Sequence, residues 1–466
     1  MFVLIIGATV VLAAGGLRQG SQFFYIIASV AVGVAYIRRS PWDFLLFSLW
    51  AWTLTPFVRR LIDLYCGFDP TNIVLGLPNL LSLLMVADIL SSARVFRLKE
   101  STTGLLLLTP VVYGIVVSLV QGNIISGLIG AADWIVPITY YYFLIRHASE
   151  IADLERPLTE FVTLNMLLLA VYGVVQFFAP PPWDSAWLIN SGVTAGGQPV
   201  AYKIRVFSTL NSAGVAAPWF EMLIILSLHF RTRLASVLTA VCVVVLLMTL
   251  GRAVLGALLV ALLIVFLSSG GRMLRTLAIT IVAVVLLLGT LSAYYPSVGQ
   301  RFTSRFDTVN DLGQDDSAIH RLALYRAAPE WLDKHPLGLG IGALGRGAVS
   351  SDDANLISID SGPLAIYLSL GWIAGSIYIA GIVAVLIQAA SAARRCGSPA
   401  AVVAATAAFA ASLGLIFGNV TGLIGVIIWM CAGYASVLGM TKSPTEFRLG
   451  AADGRPATEM GASRPN

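Results

Sequence analysis

Stretches of about twenty apolar residues, nearly free of charge, recur along this chain and limit its folds more than any other feature of the sequence. A spanning helix needs about 20 such residues, within a working range of about 17–25. Fourteen segments qualify, at approximately 2–17, 21–37, 42–58, 73–90, 103–121, 124–145, 158–179, 210–229, 234–250, 253–269, 274–294, 362–390, 399–418 and 420–440. Inside hydrocarbon every backbone polar group must find a partner within the protein, so such a chain crosses as helices. Composition agrees, because only 11% of residues are charged, against roughly a quarter in soluble domains. The expected fold is therefore an all-α polytopic membrane protein of about fourteen transmembrane helices. Residues 1–440 are expected to form one transmembrane domain. The Gly-, Pro-, Ser- and Thr-rich residues 441–466 read as a disordered cytoplasmic tail. The first segment begins at Met1 with no basic stretch before it and reads as a retained helix. Cys66, Cys242, Cys396 and Cys431 have neither metal-ligand spacing nor a disulfide pattern, and read as small apolar residues.

Loop charge orients the spans. With the N-terminus in the cytoplasm, the inner loops hold Arg38/Arg39, Arg94/Arg97/Lys99, Arg146/Arg156, Arg231/Arg233, Arg272/Arg275 and Arg394/Arg395. That is the expected cytoplasmic excess of Lys and Arg, and it accounts for the net charge of +5 without nucleic acid. Cations left on the outer side run against this bias and call for another reason. They are Arg18, Arg59, Arg60, Lys203, Arg205, Arg252 and a cluster from Arg301 to Arg346. Two outer loops are long, 180–209 and 295–361, and loops of that length are commonly functional. The second contains a helical pattern over roughly 317–333 and then the turn-rich HPLGLGIGALG, so it reads as a structured extracytoplasmic element.

Four stretches carry candidate chemistry. In LMTLGRAVLGALL, Arg252 either snorkels at a helix boundary or lines a cavity at a helix break. Its forked, permanent charge suits a phosphate oxyanion. In VAYKIRVFSTLNSAGVAAPWFE, the Ser208, Thr209, Asn211 and Ser212 run is a helix N-cap signal, and a helix N-terminus favours anions. Capping does not account for Arg205. Around the loop helix, His320, Arg321, Arg326 and His335 lie close together, with Tyr325 one turn after Arg321. The two histidines lack supporting carboxylate spacing, so no metal is expected. In IDSGPLAIYLSLGWIAG, Asp360 reads as either an N-cap ahead of Pro363 or a general base toward a hydroxyl. Smaller candidates are Arg59, Arg60 and Asp63, intramembrane Asp133, and Asp88, Tyr172 and Gln176. Trp183 and Trp187 offer sugar-stacking faces or simply belong to the interfacial belt.

The ordered series GR-AVLGALL, HRLALY…HPLGLGIG and IDSGPLAIYLSLGWIAG, preceded by RVFSTLNSAG, resembles the O-antigen ligase and polysaccharide polymerase family over roughly 200–380. The resemblance implies a C-type glycosyltransferase of the bacterial inner membrane, active on the extracytoplasmic face without a metal or other cofactor. Its donor would be a polyprenyl-diphosphate-linked oligosaccharide. Family arginines that engage the diphosphate match Arg252 and Arg321, with Arg205 as a third. Arg326, Asn211, Arg59, Arg60, Trp183 and His320 are the accompanying substrate-binding candidates. Family ligases carry a histidine where this chain has Asp360, and the glycine spacing to Gly371 and Gly375 is one longer. That departure favours a polymerase of O-antigen or exopolysaccharide, with Asp360 accepting a proton from an acceptor hydroxyl. Membrane lipids and a chain-length regulator are the expected partners. The alternatives are a ligase acting on lipid A core or protein, and a transporter or flippase of lipid-linked sugars.

Overall fold

A computed structural model describes residues 1–92, 95, 99–230, 233–268, 282, 286, 289–290, 316–344 and 361–441. Most of the expected span at 274–294, the 301–315 and 345–360 parts of the outer loop with Asp360 among them, and the 442–466 tail fall outside that set, as do the side chains of His320 and Arg321. The described residues are helical apart from an isolated antiparallel bridge between Gly197 and Ile204 and the turns between helices. In chain order the helices are α1 (Phe2–Ala14), α2 (Arg18–Arg39), α3 (Pro41–Cys66), α4 (Leu77–Leu90), α5 (Lys99–Val120), α6 (Ile124–Arg146) and α7 (Glu155–Phe178). There follow α8 (Pro182–Ser191), α9 (Ala213–Ser227), α10 (Arg233–Met248), α11 (Arg252–Ser268), α12 (Asp316–Lys334), α13 (Gly362–Cys396), α14 (Pro399–Leu413) and α15 (Gly422–Thr441).

Eight helical segments of the described residues are long and apolar enough to cross a membrane. Four shorter apolar helices, Phe2–Ala14, Ala213–Ser227, Leu234–Met248 and Arg252–Ser268, accompany them. Exposed aliphatics such as Leu4, Ile27, Leu83, Val116, Leu128, Val171, Leu263 and Ile387 stud the periphery, where lipid replaces water as solvent. The centre belongs to α15, of whose apolar stretch 83% is buried, against 28% for α2. It packs against α6, α13 and α14. Small residues let these backbones approach, as at Gly433 against Tyr141 and Gly439 against Ala392.

Contacts sort the helix ends into two groups. At one end Trp42 donates to the Glu150 carbonyl, His147 meets Asp88 at 2.9 Å and His229 meets Glu155 at 3.2 Å. Arg146, Arg156, Arg394 and Arg395 belong to helices ending or starting there. The opposite end gathers the 67–72 turn, the Gly122 turn, residues 179–212, the 249–251 break, the 336–344 loop and the 414–421 turn. Arg18 joins this end by donating to the Cys66 and Gly67 carbonyls.

Two departures from regular helix shape that second end. The run through α10 and α11 is interrupted at Thr249–Gly251, where Leu250 takes φ 58°; the left-handed region costs a branched residue about 1–2 kcal/mol. In α13, Gly371 adopts φ 73° and ψ −177°. The peptide groups freed there are taken up by the glycine-rich 336–342 loop. Leu339 and Gly340 amides donate to the Leu368 and Ser369 carbonyls at 2.8 and 3.0 Å, and the Trp372 amide donates to Pro336 at 3.2 Å. The loop continues into α5 and α6: Ile341 N–H reaches the Gly114 carbonyl, Gly342 N–H reaches Ser118 Oγ, and Tyr113 O–H donates to Leu337. HPLGLGIG is thus an inlaid strap in which His335 is a turn residue, its carbonyl accepting from Gly338 at 2.9 Å. A methyl on Gly130 of α6 would fall on the Ile341 carbonyl, and one on Gly371 would fall on that of Pro336.

These contacts make Gly371 and Gly130 intolerant of side chains. Gly371→Ala is expected to lose about 1–3 kcal/mol from the backbone conformation alone, and Gly130→Ala to unseat the strap. Thermal unfolding of the detergent-purified variants checks this. Gly256→Ala, where a methyl meets nothing within 4 Å, should match or exceed the wild-type midpoint.

Candidate functional site

The site is assembled around residues 205–212, an irregular segment that runs from the bridge at Ile204 to the start of α9. Buried irregular backbone frees amides and carbonyls that the protein must satisfy. Here Gln176 of α7 does so from one side, its Oε1 accepting the amides of Phe207 and Ser208, both at 2.9 Å. Arg60 of α3 does so from the other, donating to the Ser208 and Leu210 carbonyls at 2.8 and 3.0 Å. Ser208 holds φ 53° and is pinned further by its hydroxyl, which donates to Leu169 at 2.9 Å. A strained residue held on its amide, carbonyl and hydroxyl is over-determined, a pattern that clusters at functional sites.

Arg60 and its counterion are completely enclosed. Arg60 and Asp184 of α8 are each 0% exposed, with 3.3 Å between them. Gln176 and Tyr172 donate to the other Asp184 oxygen at 2.6 and 2.9 Å, and Trp183 Nε1 donates to Tyr172 at 2.6 Å. The Arg60 guanidinium also lies 4.9 Å from the Phe207 ring centre. Burial pushes the Asp184 carboxyl above the ordinary carboxylate range, and Arg60, Gln176 and Tyr172 oppose that shift. Arg60, expected to bind substrate, is thus enclosed, with its donors on the Ser208 and Leu210 carbonyls. Arg59 is likewise buried, held by Asp63 at 3.2 Å and the Asp69 carbonyl at 2.7 Å. Trp183 is half-buried and packs edge-on against Phe57.

Arg205 reaches the helix break that leads into α11. Arg205 is half-buried and donates to the carbonyls of Thr249 and Ala195, each at 3.1 Å. Thr249 opens the helix break that ends at half-buried Arg252, the first residue of α11. A methyl on Gly251 would meet Ala217, so this break rests against the second turn of α9. α11 also packs against α14 and the 414–417 turn. Two guanidinium-bearing residues and the N-terminus of α11 thus share one corner of the bundle.

Beside that corner a cavity of about 390 Å³ opens between helix ends. α6 lends Gly130, Asp133 and Trp134; the start of α9 lends Ser212, Gly214 and Val215; α13 lends Ala365 and Ser369. The strap closes it with Ile341 and Leu344, and the turn into α15 adds Phe417, Asn419 and their neighbours. Ser212 caps α9, its Oγ accepting from the Val215 amide at 3.3 Å. Asn211 adjoins this rim, and its buried side-chain oxygen has no hydrogen-bond partner among the described residues.

The loop helix α12 docks on α13 through Leu324, Ala328 and Leu332 against Leu364, Ala365 and Leu368. Tyr325 O–H and Ser361 Oγ are 2.6 Å apart. Arg321 precedes Tyr325 by one helical turn, and Arg326 lies on the same helix. The N-cap of α13 is Ser361, not Asp360: Ser361 Oγ accepts from the Leu364 amide at 3.5 Å. Ser369, Asn419 and Trp134 escaped the sequence reading, because a lone serine or asparagine in an apolar helix or tight turn carries no spacing signal. Asp133, noted there as an intramembrane carboxylate, does line the cavity.

Residues 234–379 match the family model described as O-Antigen ligase. The matched segment runs from α10 through the first half of α13, and so includes Arg252, Arg321, the strap and Ser369. It supports the O-antigen ligase and polymerase-like resemblance, and with it a glycosyltransferase-like enzyme handling lipid-linked oligosaccharide in a multi-pass membrane protein. No curated protein and no solved structure matches the chain.

The buried network predicts a stability effect. Removing one partner of an enclosed ion pair costs about 3–5 kcal/mol, so Arg60→Ala should show that loss in denaturation of the detergent-purified protein. The double variant Arg60→Met with Asp184→Leu should recover only part of it, because the Ser208 and Leu210 carbonyls still lose their donors. An Arg60→Ala protein as stable as wild type would contradict the role given to the network.

Proposed function

We propose, starting from the O-antigen ligase-type segment at 234–379, that this protein is a surface-polysaccharide polymerase of the bacterial inner membrane. It transfers glycan from one polyprenyl-diphosphate carrier to the end of a second lipid-linked repeat unit, on the extracytoplasmic side. The observation that carries the reading is the Arg205–Thr249–Arg252 corner, set beside a polar cavity at the same helix ends. Supporting an extracytoplasmic site, the basic residues Arg146, Arg156, Arg394 and Arg395 lie at the end away from that cavity, in keeping with the cytoplasmic bias of Lys and Arg.

The chemistry follows from the charges. An acceptor hydroxyl oxygen attacks the anomeric carbon of the donor sugar, and the bond from that carbon to the diphosphate oxygen breaks. The bonding pair leaves with the diphosphate, whose growing negative charge meets Arg205, Arg252 and Arg321. Fixed guanidinium charge stabilises such a leaving group without reorganising. Asp360, the residue before the helix cap Ser361, takes the hydroxyl proton. Arg60 and Gln176 act at one remove, by holding the backbone that sets Arg205 and the first turn of α9.

Two measurements test this. Arg252→Ala and Arg321→Ala are each expected to abolish polymer while leaving folded protein in the membrane; full-length polysaccharide from either would defeat the assignment. In proteoliposomes given lipid-linked donor alone, the wild-type protein should lengthen the glycan unaided. Growth only after lipid A core is added would make it a ligase, and movement of the lipid across the bilayer without growth would make it a transporter.

A further inference from the structure

Three acidic side chains are buried among the described residues, and two of them have an arginine. Asp63 is paired with Arg59 at 3.2 Å and Asp184 with Arg60 at 3.3 Å. The third, Glu221 in the middle of α9, is 2% exposed, and its Oε1 is enclosed without a hydrogen-bond partner among the described residues. No ion pair reaches its carboxyl among those residues either. Every residue from Ala216 to Leu228 is buried, so no exposed position on α9 lies within a turn of it. An acidic side chain placed so is a functional group by default.

The helices packed against α9 are α7, α10, α11, α14 and α15. Neither α14 nor α15 carries a charged residue; α11 carries Arg252 and α10 carries Arg233, each as its first residue. The charged residues of α7 are Glu155, Arg156 and Glu160, at the opposite end of the bundle, where Glu155 meets His229 and Arg156 meets Glu160. The other titratable side chains on these helices are Tyr172, which donates to Asp184, Cys242, whose thiol donates to the Met166 carbonyl, and Cys431 and Tyr434. Enclosing a carboxylate ion without a partner costs far more than enclosing the neutral acid. The small ligand that removes that cost is a proton.

Glu221 follows Ala217 by one turn on the same face of α9, about 6 Å along the axis. Ala217 is the residue on which Gly251 of the helix break rests, and α14 packs against both α9 and α11. We propose that Glu221 is a proton-binding site inside the bundle, and that its proton keeps α9 packed on α11 beneath the Thr249–Gly251 break. With the proton in place the side chain is neutral and the apolar packing closes around it. Release of the proton to water leaves an ion that the packing must open to hydrate, which loosens the contact under the break. The site's chemistry does not depend on the function proposed above.

Glu221→Gln keeps the size of the side chain and removes the proton site. In full-length protein in nanodiscs, this variant should melt as high as wild type at mildly acidic pH. As the pH rises, wild type should fall behind it. The fold retains a proton that the unfolded chain releases, so each pH unit costs wild type about tenfold in its folded-to-unfolded ratio. Hydrogen exchange over residues 249–255, compared at one alkaline pH, should be faster in wild type than in the variant. Glu221→Leu, neutral at every pH, should also fold and behave as Glu221→Gln does. Variants that melt well below wild type at every pH, or that do not accumulate as folded protein, would mean that the fold needs a carboxylate ion there, and would overturn the site. Midpoints of wild type and Glu221→Gln that run parallel across the pH range would overturn it too. A gap that grows with pH while exchange over 249–255 stays equal would overturn the link to the break.

Discussion

A peptide group that reaches hydrocarbon must be paired inside the protein, and the region around the cavity is a set of answers to that demand. Helices that end or break there free amides and carbonyls, and particular side chains or loops take them up. Gln176 and Arg60 close the 206–210 backbone, Arg205 closes the end of α10, Ser212 and Ser361 cap α9 and α13, and the strap closes the break at Gly371. The rim of the cavity is finished in this way. The glycines of the HPLGLGIG strap belong to the same solution, since backbone has to lie directly on the backbone of α5, α6 and α13.

Charge is divided along similar lines. Arg60, fully enclosed with Asp184, spends its donors on carbonyls and holds a strained segment in place. Arg205 and Arg252 occupy a half-buried corner at a helix break, the setting in which a guanidinium can meet a phosphate. The cavity beside them is neutral apart from Asp133 among its described lining residues.

Much of this frame was legible in the sequence. The helical pattern at 317–333 became Asp316–Lys334, the interruption at Gly251–Arg252 became a break with Leu250 left-handed, and Ser212 caps the helix that its Ser/Thr/Asn run announced. Each of these is a local signal, written within a few residues. What escaped depends on partners far apart in the chain. The burial of Arg60 follows from contacts about 150 residues away with Ser208 and Leu210, so from sequence it looked like any other outer cation. The cap of α13 is Ser361, one residue beyond the aspartate that the sequence offered. Ser369 and Asn419 had no pattern at all; only their place in the cavity lining marks them.

The account depends on the diphosphate docking at the end of the bundle where the helix breaks lie. A polyprenyl diphosphate carrying a diazirine next to its headgroup, irradiated with the protein in nanodiscs and mapped by mass spectrometry, addresses this directly. Adducts concentrated in residues 203–215 and 249–255 are predicted. Adducts concentrated instead in residues 147–156 or 394–399, at the opposite end, would contradict it.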